Sequence, residues 1–262
     1  METINCIICG SNKNSPFFEV TDRLSQNSEF FHLVKCECEF VYLNPRPIES
    51  QISKYYSSPK YDPHNSTKEN MWGKIYKLVQ WWTLRWKFKK ISSLHSSGNL
   101  LDVGGGNGEF AHFMSVKGWN VVIQDKFSNI EHLMGSKIIN KLENLKLFQK
   151  TEYFNVITLW HSLEHIHEID KLFFHLNRLL KSDGILLIAV PNLNAPERIF
   201  FNKNWAPFDA PRHLYHFQLK TLNKLCSKYK FKIVRKYSLF QDTPYNILLS
   251  ITKNNPFQFI KG

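Results

Sequence analysis

From residue 96 onward the chain reads as an α/β fold with a doubly wound, mostly parallel sheet, and three observations carry that reading. Short apolar runs alternate with helically spaced segments from Asn99 onward. Ile185–Val190 reads I-L-L-I-A-V, an unbroken apolar run of the kind buried on both faces of a parallel sheet. Leu100–Phe110 reads L-L-D-V-G-G-G-N-G-E-F, a strand, a glycine turn and the start of a helix. Such a turn brings backbone N–H groups and a helix N-terminus up to a ligand with no side chains in the way. Three regions are expected: a segment with two close cysteine pairs, zinc-ribbon-like in that pattern (1–50), a helical linker or cap (51–95), and the α/β domain (96–262), whose final strand is in question.

The N-terminal region opens with C-x2-C-G (Cys6, Cys9, Gly10), and a second pair, Cys36 and Cys38, follows an apolar stretch from Phe30 to Val34. Thiolates from two such knuckles make a closed tetrahedral site for structural zinc. The second pair is C-x-C, one residue short of the usual spacing, so a degenerate site with Cys6 and Cys9 as small buried hydrophobes stands as the alternative. A catalytic zinc is not expected, because no open site beside a base is apparent. Phe40–Pro47 predicts a short strand stopped by prolines, Gln51–Tyr61 a short helix, and Tyr61–Lys68 a polar linker.

Trp72–Leu94 is helical in spacing and sets four tryptophans among lysines and an arginine. An interfacial membrane helix is one reading. A helix packed across the α/β domain is the other, and the sequence favours it. Within the domain, strands are expected at Leu100–Val103, Asn120–Ile123, Leu145–Phe148, Tyr153–Leu159, Ile185–Val190 and Lys232–Tyr237. Helices are expected at Glu109–Lys117, around Ile130, at Ile169–Leu180 and at Leu219–Lys228, with a turn at Lys181–Gly184.

Of the 262 residues 43% are hydrophobic and 21% charged, which excludes global disorder. The net charge of +12 invites a polyanion partner, but the cations are spread out, with no block of five or six like charges. The N-terminus lacks the charged and apolar regions of a signal peptide. No run approaches the ~20 apolar residues of a membrane span, and the close cysteine pairs argue against a secreted disulfide framework. A soluble cytoplasmic protein is the expectation.

The glycine turn narrows its own ligand. A dinucleotide fingerprint needs its third glycine where Glu109 stands, and a P-loop needs a lysine that is missing. Asp102 before the turn would repel a pyrophosphate and tolerate an ammonium group. Asp125, twenty-one residues after Gly104, is placed to accept from both hydroxyls of a ribose. Together these describe a nucleoside with an amino-acid tail and no phosphate.

Asp102–Gly108, D-V-G-G-G-N-G, closely resembles the first motif of class I S-adenosylmethionine-dependent methyltransferases. Leu159–Ile166 (L-W-H-S-L-E-H-I) and Leu179–Asn192 are similar to their later motifs. Trp205–Phe217, the N-terminal C-x2-C-G and Leu43-Asn44-Pro45-Arg46-Pro47 resemble a subgroup that modifies small molecules and sugars, often in surface-polysaccharide pathways. The resemblance implies a Rossmann-like, seven-stranded fold that binds S-adenosylmethionine, with Gly104, Gly106 and Gly108 along its methionine and ribose part and Asp125 on the ribose. Asn155 replaces the usual aspartate at the head of the fourth strand, and the acid after the third strand is blurred, Glu143 and Glu152 being near its place. Asn246–Thr252 is the one candidate for the final strand.

Methyl transfer gains from alignment and from removal of a proton. The candidates for the base are His161, directly after the fourth strand, and His213, with Tyr215 a further one. Arg212, His216 and Trp205 are candidates for binding the acceptor, and Trp160 for walling the cofactor. For Arg212 a salt bridge to Asp209 is an equal alternative. Three functions stand: methylation of a small molecule such as a sugar or sugar nucleotide, methylation of RNA, or cofactor binding without catalysis in a degenerate or truncated domain.

Overall fold

A computed structural model of the chain describes residues 1–24, 29–56, 71–126, 137–139, 145–146 and 148–252. In order along the chain the strands and helices are β1 (Asn14–Thr21), β2 (Phe30–Cys36), β3 (Val41–Leu43), α1 (Met71–Ser92), β4 (Asn99–Val103), α2 (Glu109–Val116), β5 (Asn120–Gln124), β6 (Lys137–Ile139) and β7 (Phe154–Trp160). There follow α3 (Ile169–Leu179), β8 (Leu180–Ala189), α4 (Pro196–Phe201), β9 (Tyr215–His216), α5 (Leu219–Lys228) and α6 (Asp242–Thr252). They form two compact units, one from Met1–Asn65 with Pro191–Gly262, the other from Ser66–Val190. No helix among the described residues is long and apolar enough to cross a membrane.

The Ser66–Val190 unit is the α/β part. Its five strands lie parallel in the order β6-β5-β4-β7-β8. The chain moves outward from β4 to β5 and β6, then returns to the other side of β4 for β7 and β8. This reversal leaves a crevice at the carboxyl ends of the central strands, where open α/β sheets bind ligands. Leu100, Val121, Ile123 and Val156 bury one sheet face against Phe110, Ala111 and Met114 of α2. Leu84, Phe88 and Ile91 of α1, at helical spacing, join the same cluster. Asn155 serves the strand start: its Oδ1 accepts the Asn99 N–H at 3.0 Å and Lys181 Nζ at 3.2 Å.

The other unit contains a four-stranded sheet in the order β1-β2-β3-β9, antiparallel throughout. In β2 the alternation puts Phe31 and Leu33 inside and His32 and Lys35 outside. Asn44 holds the N-terminal segment beside β3, exchanging hydrogen bonds with the backbone of Ile4 at 3.0 and 3.3 Å. A side-chain capping box between Gln218 and Thr221 starts α5.

Five expectations need correction. The sheet's third position is filled by Lys137–Ile139, whereas Leu145 and Lys146 lie in a 3-10 turn rather than in a strand. Lys181–Gly184 is not a turn before the strand: β8 begins at Leu180, which pairs with Phe154, and pairing resumes at Ile185 with Val156, so the four residues lie in an irregularity of the ladder. Lys232–Tyr237 forms no strand. Asn246–Thr252 belongs to α6, where Ser250 Oγ donates to Asn246 O at 2.6 Å, so the parallel sheet has five described strands rather than seven. Finally, boundaries at 50 and 95 do not match the compact units, because β3 pairs with β9 (Tyr42 beside Tyr215) and draws the chain from Pro191 onward to the N-terminal segment. The helix expected around Ile130, the linker Tyr61–Lys68 and Glu143 lie outside the described residues.

Candidate functional site

In the Ser66–Val190 unit the glycine turn lies at the carboxyl ends of β4, β5 and β7. Gly104 N donates to Gln124 O at 2.6 Å, tying the turn to the end of β5. Gly104, Gly106 and Gly108 have φ of +69°, +53° and +73°, which side chains disfavour. Space is short as well: a Cβ on Gly104 would stand 2.4 Å from Ser162 Cβ, and one on Gly105 2.8 Å from Asp102 Oδ2. Glycine at these positions lets β4 turn directly into α2, whose first turn starts at Glu109.

The two acids expected around the turn hold different stations. Asp125 Oδ2 accepts the Gly106 N–H at 2.8 Å, so the carboxylate at the end of β5 is fastened to the turn. Asp102 is buried and accepts a 2.6 Å hydrogen bond from Thr158 Oγ1 on β7. Burial pushes its pKa up to about 6, against the opposing pull of Thr158 and the Lys87 charge, with Asp125 adding to the rise. Ionising it therefore costs stability: that contribution is complete below the ordinary carboxylate range and is lost as pH rises through about 6.

Trp160 closes β7 beside this cradle. Its ring packs edge-on to Phe110 at 5.7 Å, and Lys87 Nζ lies 4.4 Å above it. Its buried Nε1 has no hydrogen-bond partner among the described residues. The next residue, His161, has φ of +54°, and its N–H donates to Ala189 O at 2.9 Å. A non-glycine residue held there is strained, and such strain collects at functional positions. The His161 side chain is 39% exposed, with Nδ1 3.8 Å from Oε1 of the fully buried Glu164. Ser162 Oγ donates to Val103 O at 2.8 Å and so joins β7 to β4.

The other unit holds the remaining candidates. His213 Nδ1 is 2.7 Å from Pro207 O. Tyr215 is buried and its hydroxyl accepts from Arg46 at 2.7 Å, while Arg46 Nε donates to Glu2 Oε1 at 2.8 Å. His216 and Trp205 are buried, and both rings meet Phe208 edge-on at 5.3 Å. Arg212, a candidate for substrate, has 0% exposure. Its guanidinium donates to Asp22 at 2.7 Å, to Asp209 at 2.9 and 3.0 Å, and to Tyr55 O at 3.1 Å. The Asp209 ion pair of the sequence alternatives is thus formed, and Asp22 doubles it. Burial pushes the Asp209 carboxyl up, but the charge and hydrogen bonds of Arg212, with His213 and Arg23, outweigh it and hold it well below the carboxylate range.

In the same unit the four cysteines converge. Cys6 Sγ lies 3.6 Å from Cys38 Sγ, Cys9 Sγ lies 3.4 Å from Cys36 Sγ, and all four sulfurs fall within 4.8 Å of one another. A tetrahedron with Zn–S near ~2.3 Å has S···S edges of about 3.8 Å, so the donor set fits zinc in number, chemistry and spacing. Both knuckles turn through a left-handed residue, Gly10 at +76° and Glu39 at +74°. The short C-x-C pair therefore makes its turn with a glutamate where the first uses glycine. Lys220, Lys224 and Lys228, at i, i+4 and i+8 on α5, reach Glu39, Cys38 O and Ile7 O.

Lys87, Thr158, Ser162 and Glu164 are the residues that the sequence reading missed around the cradle. Thr158 carried a signal, a lone hydroxyl inside the apolar strand N-V-I-T-L-W. Lys87 carried none, since it lies on a helix remote in sequence.

A family model described as a methyltransferase domain matches residues 80–236. No curated protein matches the chain. Among solved structures, a Burkholderia thailandensis 1,6-didemethyltoxoflavin-N1-methyltransferase, with 1,6-didemethyltoxoflavin and S-adenosylhomocysteine bound, is similar at 13% identity over 87% of this chain and 93% of that one, TM-score 0.53. An S-adenosylmethionine-dependent methyltransferase from Archaeoglobus fulgidus is similar at 14% identity over 71% and 94%, TM-score 0.49. The first of these likenesses shows a shared fold.

Proposed function

The chain belongs to the methyltransferase-domain family, and from that premise we propose that it moves a methyl group from S-adenosylmethionine to a small molecule, a sugar or sugar nucleotide being the acceptor class that its motifs favour. The observation that carries the cofactor is the Gly104–Gly108 turn, packed so closely against Ser162 and Asp102 that a Cβ is excluded, with Asp125 fastened at its edge. The residues fit the group: the turn keeps side chains out of the cradle, Asp125 takes ribose hydroxyls, Asp102 attracts the ammonium tail, and the unpartnered Trp160 Nε1 stands beside them. When bound, the cofactor supplies an electrophilic methyl on a sulfonium. His161 removes the proton of the acceptor hydroxyl, and Glu164 beneath it stabilises the imidazolium that results. His213 and Tyr215 are second to it as bases, and His216 and Trp205 remain candidates for shaping an acceptor site. Structural zinc on Cys6, Cys9, Cys36 and Cys38 completes the reading.

Calorimetric titration with S-adenosylmethionine at pH 7.5 is expected to show one site. Affinity should fall up to about tenfold per unit as the pH drops below about 6, where Asp102 takes up a proton and its attraction for the ammonium is lost. In Gly104→Ala the left-handed conformation costs about 1–2 kcal/mol besides the clash with Ser162, so binding should weaken by at least about tenfold. No heat at ~1 mM cofactor would sink the reading.

Transfer of a labelled methyl group to a panel of sugar nucleotides tests the acceptor. His161→Ala should lower turnover by about 10²–10⁴ while leaving cofactor affinity within about twofold. An undiminished turnover removes His161 from the chemistry. Label entering RNA alone, with affinity falling steeply with salt, would replace the small-molecule reading.

A further inference from the structure

The outward face of α1 serves no purpose in the cradle. Over Met71–Ser92 the sequence holds six cations (Lys74, Lys77, Arg85, Lys87, Lys89, Lys90), four tryptophans and no acid. Leu84, Phe88 and Ile91 face the α/β core, and Lys87 lies over Trp160. Flanking that stripe, the exposed surface is apolar as well: Leu78 is 65% exposed, Trp81 50% and Trp82 56%. Cations are interleaved with these rings. Arg85 lies 4.6 Å from the Trp81 ring and Lys90 5.5 Å from the Trp86 ring. An apolar stripe that runs on past its buried part into exposed rings, with cations throughout, is unusual for a face left in water.

We propose that this face of α1 docks on an anionic lipid bilayer, lying in the interface with Leu78, Trp81 and Trp82 among the acyl chains and Arg85, Lys89 and Lys90 at the headgroups. Indole rings suit the headgroup boundary, where the apolar body is buried and the N–H stays wet. Long cationic side chains lay their stems along apolar surface and hold their charges at phosphate level. The absence of any acid over 22 residues supplies the charge complementarity. Each Lys or Arg near an anionic surface adds roughly fivefold in affinity. The same composition speaks against a second copy of the chain as occupant, since two such faces would set like charges together. RNA would use the cations but leave Leu78 and Val79 without a role.

The test is flotation of the full chain with vesicles of phosphatidylcholine alone and with a third of the lipid replaced by phosphatidylglycerol. Binding to the anionic vesicles should exceed binding to the neutral ones by at least about tenfold. Brominated acyl chains should quench and blue-shift part of the tryptophan emission. Trp81→Ser with Trp82→Ser should lower vesicle affinity at least about tenfold without changing the far-ultraviolet circular dichroism or cofactor binding. Arg85→Glu with Lys89→Glu, which leaves the rings in place, should abolish the preference for anionic lipid. Equal weak binding to both vesicle types, or binding to RNA with no flotation, overturns the proposal.

Discussion

Serine in place of Cys9, or extraction of metal by a chelator, is expected to melt the N-terminal knuckles and lower the melting temperature by roughly 8–16 °C. Among the first thirteen residues only Cys6 is buried, so burial of apolar surface cannot hold this segment. Its fixed points are the cysteine cluster, the Asn44–Ile4 hydrogen bonds and the Glu2–Arg46 pair. Structural zinc contributes about 10–16 kcal/mol of apparent binding free energy in small zinc peptides. Loss of even about 4 kcal/mol shifts the melting temperature of a chain of this size by the amount stated. One zinc per chain by elemental analysis, and faster hydrogen exchange in β2 and β3 after chelation, complete the expected result. Metal-free protein with unchanged melting, or two disulfides found by mass spectrometry, would remove zinc from the account.

The parallel core was legible because its strands are buried on both faces and so read as unbroken apolar runs. β4, β5 and β7 lie within two residues of where L-L-D-V, V-V-I and N-V-I-T-L predict them. The third strand was not, because K-I-I is only three residues long, too short to show a period. N-I-L-L-S-I-T failed for another reason: a short apolar run looks alike in strand and helix. The helix-start signal was nevertheless present, in Asp242 and Pro244 at the head of α6. The glycine turn and Asp125 could be read from spacing alone, whereas Thr158 beside Asp102 depends on the register of β7 against β4. Spacing alone could not place P-R-H-L-Y-H-F, where Tyr215 and His216 form β9 and Arg212 is wholly buried.

Arg212→Met is expected to destabilise the protein by about 3–5 kcal/mol, a fall of roughly 6–20 °C in melting temperature. The guanidinium lies between two buried carboxylates, Asp22 and Asp209, and spends a further donor on Tyr55 O. Methionine fills much of the volume but leaves both acids to repel one another in a site of low dielectric, with Arg23 still reaching Asp209 at 2.8 Å. The sign of the pH dependence follows. In the parent, Asp209 is held well below the carboxylate range by Arg212 against the cost of burial, so its contribution is present above about pH 4 and is lost as pH falls through the depressed value. In the variant Asp209 is buried without that compensation, its carboxyl rises from the depressed value, and acidification relieves the site. The gap between parent and variant should therefore narrow steadily from pH 7 towards pH 4. Adding Asp22→Asn to Arg212→Met should restore part of the lost stability, because it removes one uncompensated charge. A residue that binds substrate behaves differently, raising KM while the melting temperature stays within about 2 °C of the parent. That result, with no narrowing of the gap at low pH, would return Arg212 to the acceptor site.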